Sequence, residues 1–281
     1  MSLKRLLNRF KVNKSEKHII MKSINAKTVI FIHGAFVHAS GWDHWQTYFE
    51  SKGYKTIAPP WPSKEAAPSK LRSEHPYSPI AKLRLRQVIN HYADIISKLP
   101  EKPIIIGHSL GGLITQVLIN RDLGAAGICI HPVPPQGVLP YEFSFLRAGW
   151  KSLGLFTSTK KTYLMSLSDW QYAFTNGMSL KEQKESYDVS VVPESKLVAR
   201  DGLTSAAHVD FKKKHAPLLI LGGTKDHIMP STLSYRIFKK YSKTNGSVIE
   251  YKEYPGKNHY VVGPSTFKEI ADYILPWIDD H

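Results

Sequence analysis

The feature that most constrains this chain is the stretch IIIGHSLGG, which runs from Ile104 to Gly112. Its three β-branched residues predict a buried strand, and the apolar residues that follow the glycines at helical spacing predict a helix. Gly107 and Gly111 flank Ser109 at positions where a side chain would clash as strand and helix approach each other. The pattern predicts a sharp strand–turn–helix connection that raises the Ser109 hydroxyl above one edge of a sheet.

A serine raised in this way is a useful nucleophile only if a histidine takes its proton and an acid orients that histidine. In this architecture the acid and then the histidine follow the serine along the chain. Asp226 follows a predicted strand at 218–221 and a Gly-rich turn, and His259 follows a predicted strand at 247–251. We therefore predict that Ser109, Asp226 and His259 are the catalytic residues.

Charge that develops on a substrate oxygen during such a reaction needs two N–H donors. We expect the first from Leu110, because the positive end of the predicted helix lies there. The second should come from the turn after a predicted strand at 28–32, where Gly34 allows the chain to bend sharply. The Ala35 N–H is the preferred donor in this turn, and the Phe36 N–H is the alternative.

Strand and helix signals alternate along most of the chain, which predicts a parallel sheet covered by helices on both faces. The other strands are predicted at 54–57, 103–106 and 126–130. Helices are predicted at 41–52, 80–99, 113–120 and 266–278, and a loop at 58–79.

Residues 132–216 break this alternation, since they carry many aromatic side chains and no clear strand. We predict a helical insertion that lies over the strand ends. Most of its aromatic residues should fill the insertion's own core. The candidate pocket residues are Phe36, His108, Met165, Trp170 and Phe174.

The motifs HGAF, GHSLGG, GGTKD and GKNH stand in an order that resembles the α/β-hydrolase fold enzymes, from about Lys27 to the end of the chain. The resemblance implies a mostly parallel, doubly wound, eight-stranded sheet with a helical cap, a Ser-His-Asp triad and no cofactor. It implies a core at 27–131 and 217–281 and a cap at 132–216, and the basic extension at 1–26 lies outside the resemblance. The first loop, with Trp42 and Trp45, is similar to that of plant methylesterases, hydroxynitrile lyases and bacterial small-molecule esterases, but it is longer.

Charge and composition limit the classes of partner that this protein is expected to bind. The positive charges that give the net charge of +15 are scattered along the chain, and no nucleic-acid-binding motif is present. We therefore expect a solvated basic surface and no nucleic-acid partner.

The single cysteine, Cys129, excludes an intrachain disulfide. Neither a signal peptide nor a transmembrane segment is recognisable, which favours a cytoplasmic protein. The basic residues 1–26 are interpreted as a loosely held tail, with weak membrane-surface contact as the alternative. The oligomeric state is not indicated.

The thirteen histidines do not form a metal-binding motif, although His33, His38 and His44 share one loop, so no metal is expected.

The predicted activity is that of a serine hydrolase that cleaves a carboxylic ester of a small or medium-sized molecule through an acyl-enzyme. Thioesters and amides remain open as substrates. One alternative is a hydroxynitrile-lyase-like C–C lyase, which would need a polar group such as Lys160 or Lys161 facing the serine. The other is a small-molecule receptor on the same fold.

Overall fold

The computed structural model describes residues 24–281. The basic extension predicted at 1–26, and the membrane contact considered for it, lie almost entirely outside these residues. None of the helices between residues 24 and 281 combines the length and the apolar character that crossing a membrane requires.

Six parallel strands form one sheet in the order β2-β1-β3-β4-β5-β6. They are β1 (Thr28–Ile32), β2 (Lys55–Ile57), β3 (Ile104–His108), β4 (Ala126–Ile130), β5 (Leu218–Gly223) and β6 (Ile249–Tyr254). Every residue of β1, β3, β4 and β5 is buried, which explains why these strands are continuous apolar runs rather than alternating ones. The doubly wound α/β class is confirmed. The sheet differs from the eight strands implied by the resemblance, because the described chain supplies only residues 24–27 ahead of β1.

Ten α-helices cover the sheet and its edge in the described part of the chain. They are α1 (Asp43–Glu50), α2 (Pro68–Ser73), α3 (Leu85–Ile96), α4 (Leu110–Asn120), α5 (Phe143–Leu153), α6 (Leu167–Ala173), α7 (Leu180–Ser190), α8 (Lys196–Asp201), α9 (Ser231–Lys240) and α10 (Phe267–Asp279). Short 3₁₀ turns occupy Ala39–Trp42, Pro79–Lys82 and Ser205–Ala207. The predicted loop at 58–79 thus contains the six-residue helix α2, which has Pro68 in its first turn.

The helix predicted at 80–99 is wrong over its first turns. Leu83 and Arg84 have extended backbones, and α3 begins only at Leu85. The Asp201 carboxylate accepts the Leu85 N–H at 3.1 Å and the Arg84 guanidinium at 2.5 Å. This contact, which comes from more than a hundred residues along the chain, caps the start of α3 and overrides the helical spacing of the apolar residues.

Two apolar layers hold the sheet from opposite faces. On one face, α1 and α10 pack against β1 and β3 through residues such as Trp45, Phe49 and Ile274. On the other face, α3 and α4 pack through residues such as Leu113 and Ile89. With both faces covered, only the edge at the carboxyl ends of the strands remains for a site, as in other open α/β sheets.

The span 132–216 holds α5 to α8 and contributes no strand to the described sheet. Two isolated antiparallel bridges join it to other chain segments or to itself: Val37 pairs with Val191, and Tyr163 pairs with Glu194. The Phe174 carbonyl also accepts the Tyr260 N–H at 3.0 Å. These contacts place the helical span over the carboxyl edge of the sheet, close to the residues singled out above.

Candidate active site

Ser109 lies between β3 and α4 with a backbone conformation that serine rarely adopts, at φ 58° and ψ −119°. A Cβ on Gly107 would overlap the Gly111 carbonyl, and one on Gly111 would overlap the Ile32 carbonyl. These two glycines are therefore required for the close approach of β1, β3 and α4. The Ser109 side chain does not cap α4, so its hydroxyl is left available for chemistry.

Asp226 and His259 meet at the same edge of the sheet. The Nδ1 of His259 lies 2.6 Å from Oδ2 of Asp226, and both side chains are fully buried. The other carboxylate oxygen, Oδ1, accepts the N–H groups of Ile228 at 2.9 Å and Met229 at 2.6 Å. The chain thus fixes the carboxylate from its own turn and directs one oxygen at the imidazole.

A second histidine shares that oxygen. His131, the first residue after β4, places its Nδ1 2.7 Å from Oδ2 of Asp226. Its φ of 46° is uncommon for a residue with a side chain, and a Cβ on Gly223 would come within 2.5 Å of its ring. The Gly-rich turn after β5 therefore makes room for His131. His131 is not among the residues predicted from the sequence, although the end of β4 adjoins the end of β5.

Burial and hydrogen bonding oppose each other at these groups. Burial favours the neutral carboxyl, but attraction to His259 and hydrogen bonds from both imidazoles outweigh it and lower the pKa of Asp226 below its usual range. Burial lowers the pKa of His131, and the Asp226 contact offsets only part of this. The cluster is best described as one carboxylate oxygen that accepts an N–H group from each of two imidazoles.

The hydroxyl of Ser109 and the ring of His259 are not hydrogen-bonded to each other in the described residues, and Nε2 of His259 is buried without a partner. With Nδ1 engaged by Asp226, this nitrogen carries the lone pair that could take a proton. A catalytic hydrogen bond is often absent or long before substrate binds. The unpartnered Nε2 of His259 is thus a basic atom that this arrangement offers, as is that of His131.

His108 supports His259 from below. Its Nε2 lies 2.9 Å from the His259 carbonyl oxygen, and the two rings are 4.5 Å apart. Burial, followed by repulsion from His259 and His131, holds the pKa of His108 well below its usual value. A neutral His108 can therefore donate one N–H to the loop that carries His259.

The N–H groups predicted to bind the oxyanion differ in whether they already have a hydrogen-bond acceptor. Leu110 lies in the first turn of α4, where an N–H has no acceptor within the helix, and Ala35 follows Gly34 in the turn after β1. Ala35, Leu110 and Ser109 line the same cavity. The alternative donor fails, because the Phe36 N–H already donates to the Glu194 carboxylate at 3.1 Å.

That cavity has a volume of about 230 Å³ and a largely apolar wall. It extends from Ser109 between the loop 133–140, helix α5 and residues 228–229. Leu146 and Trp150 of α5 line it and are also half exposed, so α5 forms the outer wall near solvent. The space suits an apolar group attached to a carbonyl carbon at Ser109.

The expected pocket residues are only partly brought together. Phe36 lines the large cavity, whereas His108 and Phe174 line a smaller one of about 110 Å³ beside Gly34 and Tyr260. Met165 and Trp170 line neither cavity. The Trp170 ring stacks on Phe174 at 4.3 Å and is fully buried, so it belongs to the core of the helical span. Aromatic content alone does not distinguish a wall residue from a core residue.

His131, Asp226 and His259 are also the three residues whose ligand atoms could surround a metal ion. Zn²⁺ ligands at about 2.1 Å in a tetrahedral arrangement stand roughly 3.3 Å from one another. The two Nδ1 atoms lie only 2.6 and 2.7 Å from the shared carboxylate oxygen, which is hydrogen-bond spacing. The geometry therefore fits a hydrogen-bonded cluster better than a metal site.

Solved structures with the same architecture cover about nine tenths of this chain. They include a methylesterase, MES16, from Arabidopsis, with 16% identity, a TM-score of 0.63 and coverage of 90% of this chain and 99% of that one. A monoacylglycerol lipase of Paleococcus ferrophilus has 23% identity, a TM-score of 0.65 and coverage of 90% and 94%. Tomato methylketone synthase I, in complex with 2-tridecanone, has 13% identity, a TM-score of 0.65 and coverage of 91% and 98%. At these identities the likeness shows the fold.

Sequence comparison gives the family. No curated protein sequence matches the chain significantly. The sequence model of the Alpha/beta hydrolase family, in contrast, matches residues 29–272, which include the elbow at Ser109, the Asp226–His259 pair and the turn after β1. The chain belongs to the alpha/beta hydrolase family.

Proposed function

We propose that this protein is a serine hydrolase that cleaves a carboxylic ester of a small or medium-sized molecule through an acyl-enzyme on Ser109. The observation that carries the proposal is the placement of Ser109 in the wall of an apolar cavity, with the buried Asp226–His259 pair at the same sheet edge. Two structural neighbours, a methylesterase and a monoacylglycerol lipase, also favour an ester.

In the proposed mechanism Ser109 attacks the acyl carbon while Nε2 of His259 takes the hydroxyl proton. Asp226 accepts the Nδ1–H of His259, which fixes the tautomer and stabilises the imidazolium that forms. The N–H groups of Ala35 and Leu110 bind the oxyanion. His259 then gives its proton to the leaving alcohol and afterwards activates the water that releases the acid.

The helical span 132–216 would act as a cap that shapes the acyl pocket. Helix α5 supports this role, since Leu146 and Trp150 form part of the cavity wall. Phe174 approaches His259 edge-on at 4.7 Å and keeps solvent from the ring. We expect an apolar acyl group in the large cavity, and the substrate to be a small molecule that needs no cofactor.

The test is hydrolysis of p-nitrophenyl esters from acetate to laurate by the parent and by S109A. The parent should hydrolyse some members of the series, and S109A should lose roughly 10⁴-fold or more in kcat/KM. Ser234, which is also buried but lines neither cavity, offers the matched control S234A, for which we expect activity within twofold of the parent. The acyl length with the highest kcat/KM would measure the useful depth of the cavity.

The alternatives give different results. Failure to hydrolyse any ester, together with failure of a fluorophosphonate to label Ser109, would sink the hydrolase proposal. Labelling without ester turnover would leave a reactive serine and point to lyase chemistry or another acyl bond. Lys160 and Lys161, considered for a lyase, are exposed and line neither cavity, so no observation favours that reaction here.

A further inference from the structure

The turn that carries the candidate donor Ala35 is strained at the next residue. Phe36 has φ 68°, a left-handed conformation that favours glycine and that is strained for a residue with a larger side chain. Such a conformation persists only where surrounding contacts impose it. The direction of the Ala35 N–H depends on this turn, so the contacts that hold Phe36 also determine where the donor points.

Both backbone groups of Phe36 are held by the helical span. Its N–H donates to Oε2 of Glu194 at 3.1 Å, and its carbonyl accepts the Val192 N–H at 2.8 Å. The phenyl ring is buried and meets the rings of Tyr163 and Phe174 edge to face. The turn after β1 is thus shaped by residues more than 120 positions further along the chain.

Glu194 is itself fixed on every side. Its Oε1 accepts the Ser195 N–H at 2.8 Å, and its Oε2 also accepts the Lys64 ammonium at 2.6 Å. The side chains of Lys64 and Glu194 are 0% and 2% exposed, so this ion pair is shielded from solvent. The Lys64 ammonium also lies 4.4 Å from the centre of the Trp61 ring.

A contribution to stability is a weak explanation for an ion pair as deeply buried as Lys64–Glu194. Desolvation of two charges offsets most of their attraction, and apolar side chains of similar volume are often as stabilising or more so. The hydrogen-bond geometry of the Glu194 carboxylate explains the pair more specifically. A carboxylate with two oxygens can accept from Phe36, Ser195 and Lys64 at once, which no apolar side chain could do.

We propose that Glu194, held by Lys64, is a positioning residue that fixes the Phe36 turn so that the Ala35 N–H faces the oxyanion formed at Ser109. The inference rests on the proposed acyl-transfer function and adds to it a link between the helical span and the oxyanion site. Glu194 touches no substrate in this scheme and acts through the Phe36 N–H.

The chain offers a matched control for this pair. Asp201, in α8, accepts the Arg84 guanidinium and the Leu85 N–H, so it too joins the helical span to the core through one cation and one backbone N–H. That N–H begins α3 instead of lying in the turn after β1. The variants K64M/E194L and R84M/D201L therefore remove the same kinds of contact, although Arg84 is half exposed and Lys64 is buried, and only the first set touches the turn that carries Ala35.

The experiment measures the second-order rate of Ser109 labelling by a fluorophosphonate, together with kcat and KM on the best p-nitrophenyl ester. K64M/E194L should label about 10- to 100-fold more slowly than the parent, with kcat lowered by a similar factor and KM within threefold. R84M/D201L should label within twofold of the parent. Labelling needs a reactive Ser109 but no ester turnover, so it remains readable if the ester proposal fails.

Labelling of K64M/E194L within twofold of the parent would overturn the proposal, as would equal slowing in both double variants. Circular dichroism and thermal unfolding establish that each variant is folded. If K64M/E194L does not fold, the isosteric E194Q replaces it, because its amide has one acceptor oxygen where the carboxylate has two. E194Q should then label at least fivefold more slowly, and an unchanged rate would refute the role of Glu194.

Discussion

At the scale of single residues, the site depends on how hydrogen-bond donors are distributed over the two oxygens of one carboxylate. Asp226 accepts four hydrogen bonds, two from imidazoles on Oδ2 and two from backbone N–H groups on Oδ1. The four donors explain how a fully buried carboxylate stays ionised. Both imidazoles have an Nε2 that is buried without a hydrogen-bond partner in the described residues, and under the proposed mechanism His259 is the base while His131 anchors the acid.

The variant D226N should lower kcat on the best ester by about 10³- to 10⁴-fold, because an amide cannot hold the His259 tautomer that presents a basic Nε2. Steady-state kinetics at pH 7.5 measures this. Asp210, an exposed aspartate that bonds only nearby backbone and Asn120 groups, provides the control D210N. Equal activity of D226N and D210N would contradict the assignment of Asp226.

The variant H131A should act mainly on stability. It removes one hydrogen bond to a buried charged group, which is worth about 1.5–3 kcal/mol of unfolding free energy. His227 is adjacent to Asp226 in sequence but donates to a neutral carbonyl, that of Tyr172, so H227A should lose only about 1 kcal/mol. Urea denaturation of both variants tests the difference. If H131A proves no less stable than H227A, the anchoring role of His131 is wrong.

At the scale of elements, the strand–turn–helix at Ser109 depends on backbone contacts that tolerate no added carbon. We predict that G111A loses at least about 3 kcal/mol of unfolding free energy, because its Cβ would meet the Ile32 carbonyl, which cannot move without displacing β1. In contrast, G149A should gain about 0.5–1 kcal/mol, since Gly149 lies within α5 and a Cβ there meets nothing. Thermal and urea unfolding of the two variants would check both signs.

The elements that the sequence predicted well are those whose local signals agree with their packing. Buried strands such as β1 and β4 match their predicted bounds, because both faces are covered and the whole run is apolar. The start of α3 and the short helix α2 were mispredicted, because distant contacts and a single proline decide them. Helix α9 is absent from the helices that the sequence predicts.

The residues of the candidate site likewise differ in whether the sequence could predict them. Ser109, Asp226 and His259 could be nominated because each follows a strand that the sequence reveals. Lys64 and Glu194 could not, because they are 130 residues apart and neither lies in a recognisable motif. His131 could have been found from its place after β4, whereas the pocket wall on α5 needed the packed structure.

At the scale of the whole molecule, the core contains several histidines that folding removes from water. His33, His108 and His131 are all buried, and burial is the largest cause that lowers the pKa of each. Lys64 lowers the pKa of His33 further, and His259 does so for the other two. The folded protein therefore holds these three rings neutral at a pH where the unfolded chain would protonate them.

This difference makes stability depend on pH with a definite sign. Below the unfolded value of about 6.5 the unfolded chain binds more protons than the folded one, so the free energy of unfolding falls as pH falls. His33 and His108, whose pKa values lie well below the usual one, each contribute about 1.4 kcal/mol between pH 7.5 and 5.5, and His131 contributes in the same direction. Urea denaturation at pH 8.5, 7.5, 6.5 and 5.5 should show little change between the first two values and a steep loss below them. H131A should lose less stability than the parent over this range, since it lacks one of these rings. Equal stability at pH 5.5 and 7.5 would mean that the rings are not buried in the neutral form.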